Sequence, residues 1–267
     1  MEKRRAVALT VAGSDSGGGA GIQADLKTFH QFGVYGMSAI TAVTAQNTLG
    51  VSGVYPLTAE AVAEQMRQVL EDIGTDALKT GMLFNADIIR AVAGMISRYK
   101  VSQVVVDPVM IAKGGAKLLL DDAVEALKQE LLPLALIVTP NLPEAESLSG
   151  MKIESRYEME EAARRIHAMG ARHVLVKGGH LASAEIVDLL FDGSQFYAFP
   201  HQRIDTRHTH GTGCTFSAAL TAELAKGTPI VAATERALQF IVEAIATAPA
   251  LGGGHGPTNH WAMTGRI

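Results

Sequence analysis

Short apolar runs rich in Val, Ile and Leu alternate along this chain with stretches whose apolar residues recur every three or four positions. Residues 7–12 read as a buried strand that Gly13 ends. Ile22, Leu26, Phe29 and Phe32 follow at helical spacing. Residues 37–43 form a second strand, and Leu57, Ala61, Met66, Val69 and Leu70 share one helical face. A short strand falls at 77–83, and Asn85 caps a helix that runs to about Arg98 with Asp87 in its first turn. Residues 104–106 are β-branched and stop at Asp107-Pro108. A helix over 121–132 precedes a strand over 134–139 that Pro140 stops. Ser155 and Glu158 stand at capping-box spacing before a helix that Gly170 closes. The strand at 173–177 is followed by a hairpin, 185–192 with 195–200, turning at Asp192-Gly193-Ser194. Helices over 214–225 and 230–246 complete the pattern.

Strand followed by helix, repeated about six times, predicts an α/β domain with a mostly parallel sheet and helices on both faces. Neither an internal repeat nor a linker breaks the 267 residues, so one domain over 1–267 is expected. In such sheets ligands bind beyond the carboxyl ends of the strands. Those ends carry SDSGGGAGIQAD, then Gln46-Asn47, Asp107, Asn141 with Glu144, Lys177-Gly178-Gly179-His180, and His208, His210 and Gly211-Thr212-Gly213-Cys214.

Composition narrows the chemistry. A net charge of -4 with no long Lys/Arg run gives no general field for nucleic acid. No apolar run approaches the ~18 residues a membrane helix needs. The single cysteine excludes an internal disulfide and any multi-cysteine metal site, and a cytoplasmic location is expected. The two-residue spacing of His208 and His210, and the five-residue spacing of His255 and His260, are not zinc signatures. Glycine is 27 of 267 residues, about a tenth where about 7% is usual. The glycine clusters match neither a P-loop, which needs GxxxxGK[ST], nor a dinucleotide loop, which needs GxGxxG or GxGxxA.

GTG running straight into a helix does offer successive backbone N–H groups at a positive helix end, an anion hole, or else merely a capped turn. Asp25 falls on the apolar face of its helix, where a carboxylate must be paired. It is a ligand acceptor, or a salt bridge or cap for the glycine loop. Cys214 at a helix start has the setting that lowers a thiol pKa, though a lone cysteine is also an ordinary small core residue. Asp107 and Glu144 suit Mg²⁺, which takes few carboxylates plus waters and phosphate oxygens. Alternatively, they are a turn residue and a first-turn helix acid. Lys177 can neutralise a transferring phosphoryl, or snorkel to solvent.

The motifs GSDSGGGAGIQADLKT, TAVTAQNT, KTGML, DPVM, TPNLPEAE, VKGGH and HGTGCTFSAAL run in this order from residue 13 to 220, with GHGPTNH at 254–260. In this combination the chain closely resembles the hydroxymethylpyrimidine/phosphomethylpyrimidine kinases of thiamine biosynthesis, in the ribokinase superfamily. The resemblance implies a ribokinase-like three-layer α/β/α fold with a central mostly parallel sheet and a small antiparallel edge. It implies two successive phosphorylations by MgATP, of 4-amino-5-hydroxymethyl-2-methylpyrimidine and then of its monophosphate, in a cytoplasmic homodimer. By motif, Asp25 and Gln46 would hydrogen-bond the ring, and Gly13, Ala20, Met82 and Val109 would line its pocket. Asp107, Thr139, Asn141, Glu144 and Lys177 would serve the triphosphate, with Asp107 and Glu144 at the metal. Gly211, Thr212 and Gly213 would form the anion hole, and Cys214 stands where the wider superfamily has an aspartate base.

Three rivals remain at this stage. A pyridoxine or pyridoxal kinase uses the same scaffold for another flat ring with a hydroxymethyl group. A cysteine hydrolase needs a histidine within reach of Cys214. A non-catalytic pyrimidine sensor would bind without consuming ATP. Residues 44–56 and 202–212 are candidate lids.

Overall fold

The structure, a computed structural model, describes residues 4–110, 121–179 and 185–263. The glycine pair 114–115 and His180 lie outside them. Among the described residues nine strands form one sheet in the order β3-β2-β1-β4-β5-β6-β7-β8-β9. They are β1 (Val7–Asp15), β2 (Tyr35–Asn47), β3 (Gly50–Pro56), β4 (Ala77–Thr80), β5 (Val104–Val106), β6 (Ile137–Val138), β7 (His173–Val176), β8 (Glu185–Phe191) and β9 (Phe196–Gln202). The contiguous set from β2 to β7 is parallel. Antiparallel strands close both edges, β3 on one side and the β8–β9 hairpin on the other.

Successive strand residues face opposite sides, and both sides are apolar, which is why the parallel strands read as unbroken apolar runs. Leu9, Leu78, Val104, Val106, Val138 and Val174 pack on one side. They meet α2 (Ala59–Asp72), α3 (Ala86–Arg98), α4 (Asp121–Ala126), α5 (Leu142–Ser149) and α6 (Arg156–His167). Ala8, Ala77, Val105, Ile137 and Leu175 face the other way, onto α1 (Gly21–Gln31), α7 (Thr212–Ala225) and α8 (Ile230–Ala246). The three-layer α/β/α expectation therefore holds, with the Asn85 cap in place: its side chain accepts from the Ile88 N–H. Among the described residues no helix is long and apolar enough to cross a membrane.

Several boundaries differ from the sequence expectation. Gly13 does not end β1: a register shift between Ala12 and Ser14 lets pairing with β2 continue to Asp15. The strands expected over 77–83 and 134–139 shorten to four and two residues. The helix expected over 121–132 turns π-helical at Leu127–Leu131 and 3₁₀ at Leu132–Leu134, where Pro133 lacks the N–H that α-helical bonding needs. Residues 44–56, a candidate lid, pair as the β2–β3 hairpin with an irregularity between Ala45 and Gln46.

Candidate active site

The face that carries Ala8, Ala77, Val105, Ile137 and Leu175 turns polar two residues further along each strand. There stand Thr10, Lys79, Asp107, Thr139 and Lys177, all buried except Lys177, whose side chain is 18% exposed. The polar groups fall into two clusters. In the first, the Lys79 ammonium donates to both Asp25 carboxylate oxygens at 2.8 and 2.9 Å, and the Thr10 hydroxyl donates to Oδ2 at 2.7 Å. In the second, Asp107 accepts from Ser217 Oγ at 3.1 Å, and from Lys177 Nζ and Thr139 Oγ1 at 3.5 Å each. Lys177 is drawn toward neutrality by burial, but Asp107 and Glu144 outweigh this and hold it charged.

The start of α7 sits on the second cluster. Gly211 precedes it with φ +78°, and no side chain caps the helix. A Cβ at Gly213 would lie 3.5 Å from Lys177 Nζ and 3.7 Å from Asp107 Oδ2, so the GTG backbone runs directly against the lysine and the carboxylate. Uncapped N–H groups beside a fixed cation make an anion site with two independent sources of positive potential. Cys214 departs from expectation: burial pushes its thiol up to about 12, against the opposing charge of Lys79. The helix start does not make this thiol acidic: burial is the largest influence, and the charges of Asp25 and Asp107 add to the rise.

Asn141 caps α5, accepting from the Glu144 N–H, while the Glu144 carboxylate accepts from the Asn141 N–H at 2.8 Å, a full capping box. A bridge joins Asn141 to Lys177, and the Lys177 N–H donates to the Pro140 carbonyl. Burial pushes the Glu144 carboxyl up to about 7, opposed by Lys177. Asp107, Thr139, Asn141, Glu144, Lys177 and Gly213 thus belong to one connected group. Among the described residues no three acidic, His or Cys side chains form a metal cage. Two carboxylates beside an anion site fit a Mg²⁺ that arrives on phosphate oxygens, which needs only one or two carboxylates from the protein.

The groups expected at the ring lie at the neighbouring strand ends. A Cβ at Gly13 would come within 2.3 Å of Met82 Cε, so glycine leaves room for the methionine side chain. Ala20 opens α1, and Val109 follows Asp107, its N–H donating to the Asp107 carbonyl. Gln46 is half-buried on the hairpin, its backbone exchanging two bonds with Ser16 Oγ and its side chain donating to Thr44 Oγ1. Asp25 does not open toward this space. It is fully buried in a salt bridge to Lys79, and burial draws its carboxyl up while Lys79 and Thr10 oppose this.

Sequence reasoning missed Lys79 and also Asp15. The Asp15 carboxylate accepts from the Gly17, Gly19 and Ala20 N–H groups and from His210 Nε2 at 2.9 Å. Burial would raise this carboxyl, but His210 and the amides outweigh it and hold it low. The glycine loop therefore carries its own internal anion and is no phosphate cradle. The Lys79 signal lay in the two-residue offset just described; for Asp15 there was only its place before the glycines.

The GHGPTNH segment ties these pieces together. The His255 N–H donates to the Thr48 carbonyl on the hairpin, the His210 N–H donates to the Gly256 carbonyl, and His260 Nε2 meets Thr215 Oγ1 of α7 at 3.1 Å. Burial holds the His260 imidazole down to about 4. In the unfolded chain it titrates near 6.5, so as pH falls from 6.5 toward 4 the unfolded state takes up a proton that the folded state refuses. Stability present above pH 6.5 should fall by up to about 3 kcal/mol across that window. His260→Gln should flatten this part of the urea midpoint against pH; equal slopes in both proteins would refute the assignment.

The sequence pattern of the family described as phosphomethylpyrimidine kinase matches residues 15–259. The hydroxymethylpyrimidine/phosphomethylpyrimidine kinase of Bacillus subtilis is 59% identical over 257 residues, covering 96% of this chain and 95% of that protein. Its namesake from Haemophilus influenzae is 53% identical over 261 residues, covering 96% and 97%. Of solved structures, the phosphomethylpyrimidine kinase of Clostridium difficile is similar with a TM-score of 0.81 at 44% identity, covering 90% of this chain and 100% of that one. The ADP complex of Bacillus subtilis pyridoxal kinase is similar with a TM-score of 0.92 at 45% identity, covering 98% and 100%. A family pattern spanning the sheet from β1 to the GHGPTNH segment, and relatives more than half identical along almost their whole length, lead to one conclusion: this chain belongs to the phosphomethylpyrimidine kinase family.

Proposed function

We propose that this chain transfers the γ-phosphoryl group of ATP to the hydroxymethyl oxygen of 4-amino-5-hydroxymethyl-2-methylpyrimidine, and then phosphorylates the monophosphate to the diphosphate, for thiamine biosynthesis. The observation that carries the reading is Lys177 with Asp107 against the uncapped GTG start of α7, in a chain 59% identical to a kinase of that name. A charged amine beside a helix start that no side chain caps suits a transferring phosphoryl, whose charge spreads over three equatorial oxygens. Gln46 reads the ring edge, with Gly13, Ala20, Met82 and Val109 as its walls. Asp107, with Glu144 in support, would hold Mg²⁺, which neutralises phosphate charge when bound. Thr139 and Asn141 position Asp107 and Glu144. A homodimer working in the cytoplasm belongs to the same reading.

The thiol at Cys214 is a poor proton acceptor at neutral pH, because burial keeps it protonated up to about 12. Phosphoryl transfer depends chiefly on positioning and charge stabilisation, so the hydroxyl proton leaves late and a strong base is dispensable. Cys214→Ala should retain measurable turnover, within about a hundredfold of the parent, the lower bound for losing a general base. A folded Cys214→Ala protein with no detectable ADP release would overturn this. The same thiol argues against the cysteine hydrolase, since a nucleophile must be ionised to attack.

A second reading has its own support: pyridoxal kinases share this architecture, one of them with a TM-score of 0.92. Coupled ADP release decides between the two. Hydroxymethylpyrimidine, its monophosphate and pyridoxal are offered at matched concentrations with MgATP. Turnover of both pyrimidines well above pyridoxal is expected. Preference for pyridoxal would make this a vitamin B6 kinase, and no turnover of the monophosphate would remove the second step. Binding of the pyrimidine without ADP release would leave a sensor.

A further inference from the structure

Lys79 is a fully buried lysine in a central strand, paired with a fully buried aspartate. Such a pair is weak evidence for stability. Taking both charges out of water costs several kcal/mol each, and replacing the pair by apolar residues of similar volume is often neutral or stabilising. A fold that needed only to be stable would not require it.

Its position shows what it acts on. Thr10 of β1 is in register with Lys79, and Lys79 is in register with Val105, two residues before Asp107. Asp25 comes down from α1, which packs on β1 and on α7; α7 in turn packs on β4 and β5. Lys79 therefore fastens α1 to the middle of the sheet on the side that α7 covers. Both members of the pair feel Asp107, and Cys214 feels both of them. Burial works against the Lys79 charge, but Asp25 outweighs it and the ammonium is retained. The neighbourhood leaves room for it: a Cβ at Gly81 would lie only 3.3 Å from Lys79 Nζ.

We propose that the Lys79–Asp25 pair is a positioning element for phosphoryl transfer, a charge-balanced clamp that holds α1 and the first turn of α7 in fixed relation beside Asp107. It acts through Asp107 and the α7 backbone and does not touch the phosphates. This inference rests on the kinase reading above. The parent enzyme, assayed for ADP release with the pyrimidine, tests that reading separately: an inactive parent would sink the reading, whereas an active parent with insensitive variants would sink only this proposal.

The test is the double variant Lys79→Met with Asp25→Leu, which removes both charges and leaves an apolar contact. It should fold, with a melting temperature close to that of the parent. Its kcat should fall at least tenfold, while KM for hydroxymethylpyrimidine stays within about threefold, because the ring contacts lie elsewhere. Lys79→Met alone should melt well below the double variant, since it strands Asp25. A folded double variant with kcat within twofold of the parent shows a purely structural pair and overturns the proposal, as does a loss confined to KM. Should the double variant fail to fold, the parent itself decides by nitrogen NMR of the Lys79 ammonium. The ammonium resonance should move when the non-hydrolysable analogue AMP-PCP binds with Mg²⁺, and an unmoved resonance under saturation overturns the proposal.

Discussion

Lys177→Met should lower kcat by about 10³ or more, the scale of losing a fixed charge donor at a transferring phosphoryl. The lysine reaches the second cluster from the end of β7, with Nζ 3.5 Å from Asp107 Oδ1 and 3.5 Å from where a Cβ on Gly213 would stand. Asp107 and Glu144 keep it charged against burial, so its cation is present throughout the working pH range. Negative charge builds on the leaving oxygen between the β- and γ-phosphorus as that bond breaks, so a cation held there is felt most in the transition state and the loss falls on kcat more than on KM for ATP. Methionine leaves the buried Asp107 carboxylate without its cation, so the melting temperature should fall as well, and kcat is compared at a temperature where both proteins are folded. Lys177→Arg should not restore activity, since a guanidinium is wider than an ammonium and Gly213 leaves it no space. Steady-state kinetics checks both variants. A methionine protein within tenfold of the parent kcat would remove Lys177 from the phosphoryl site.

Gly211→Ala is expected to damage both catalysis and stability. The new Cβ would fall 1.8 Å from the Gly19 carbonyl oxygen, on a backbone held at φ +78°. Gly19 cannot retreat freely, because its N–H donates to Asp15, which is itself bound to His210. Either the glycine loop or the first turn of α7 must therefore move, and the anion hole moves with it. A loss of about 10² or more in kcat follows from misplacing those amides, because a 1 Å error in a positioned group can cost that much. Gly33→Ala isolates the steric part. Gly33 has φ +70°, and a Cβ added there would meet nothing within 4 Å, so alanine suffers backbone strain alone. It should lose about 1 kcal/mol of stability and keep its kcat. Equal kinetics for the two alanine variants would show that the contact between Gly211 and Gly19 does not matter.

These expectations draw unequally on the sequence. Lys177 and the GTG turn stand out in the sequence because each follows an apolar strand, and strand ends are where such sheets bind ligands. Asn85 is readable because a cap acts on amides three residues away. The two-residue offset along β4 marks Lys79, but its pairing is not readable, because the partner lies 54 residues distant. The His210–Asp15 contact spans 195 residues and is equally hidden. Gly50–Pro56 reads as a loop because its glycines and exposed face hide the apolar alternation, which pairing with β2 makes unnecessary.

Cys214 shows most plainly where local reasoning stops. Its place at a helix start favours an acidic thiol only so long as neighbours in sequence are counted. Burial and two carboxylates from α1 and the end of β5 reverse the outcome. By itself, then, the sequence determined the alternation of strands and helices, the helix caps, the glycine turns and the motifs that mark the family, because each acts over a few residues. The tertiary structure alone decided which charges face each other: Asp25 with Lys79, Asp15 with His210, and Lys177 with Asp107. Charge states and pairings depend on distance through space and on exclusion of water, and both arise only when distant strands meet.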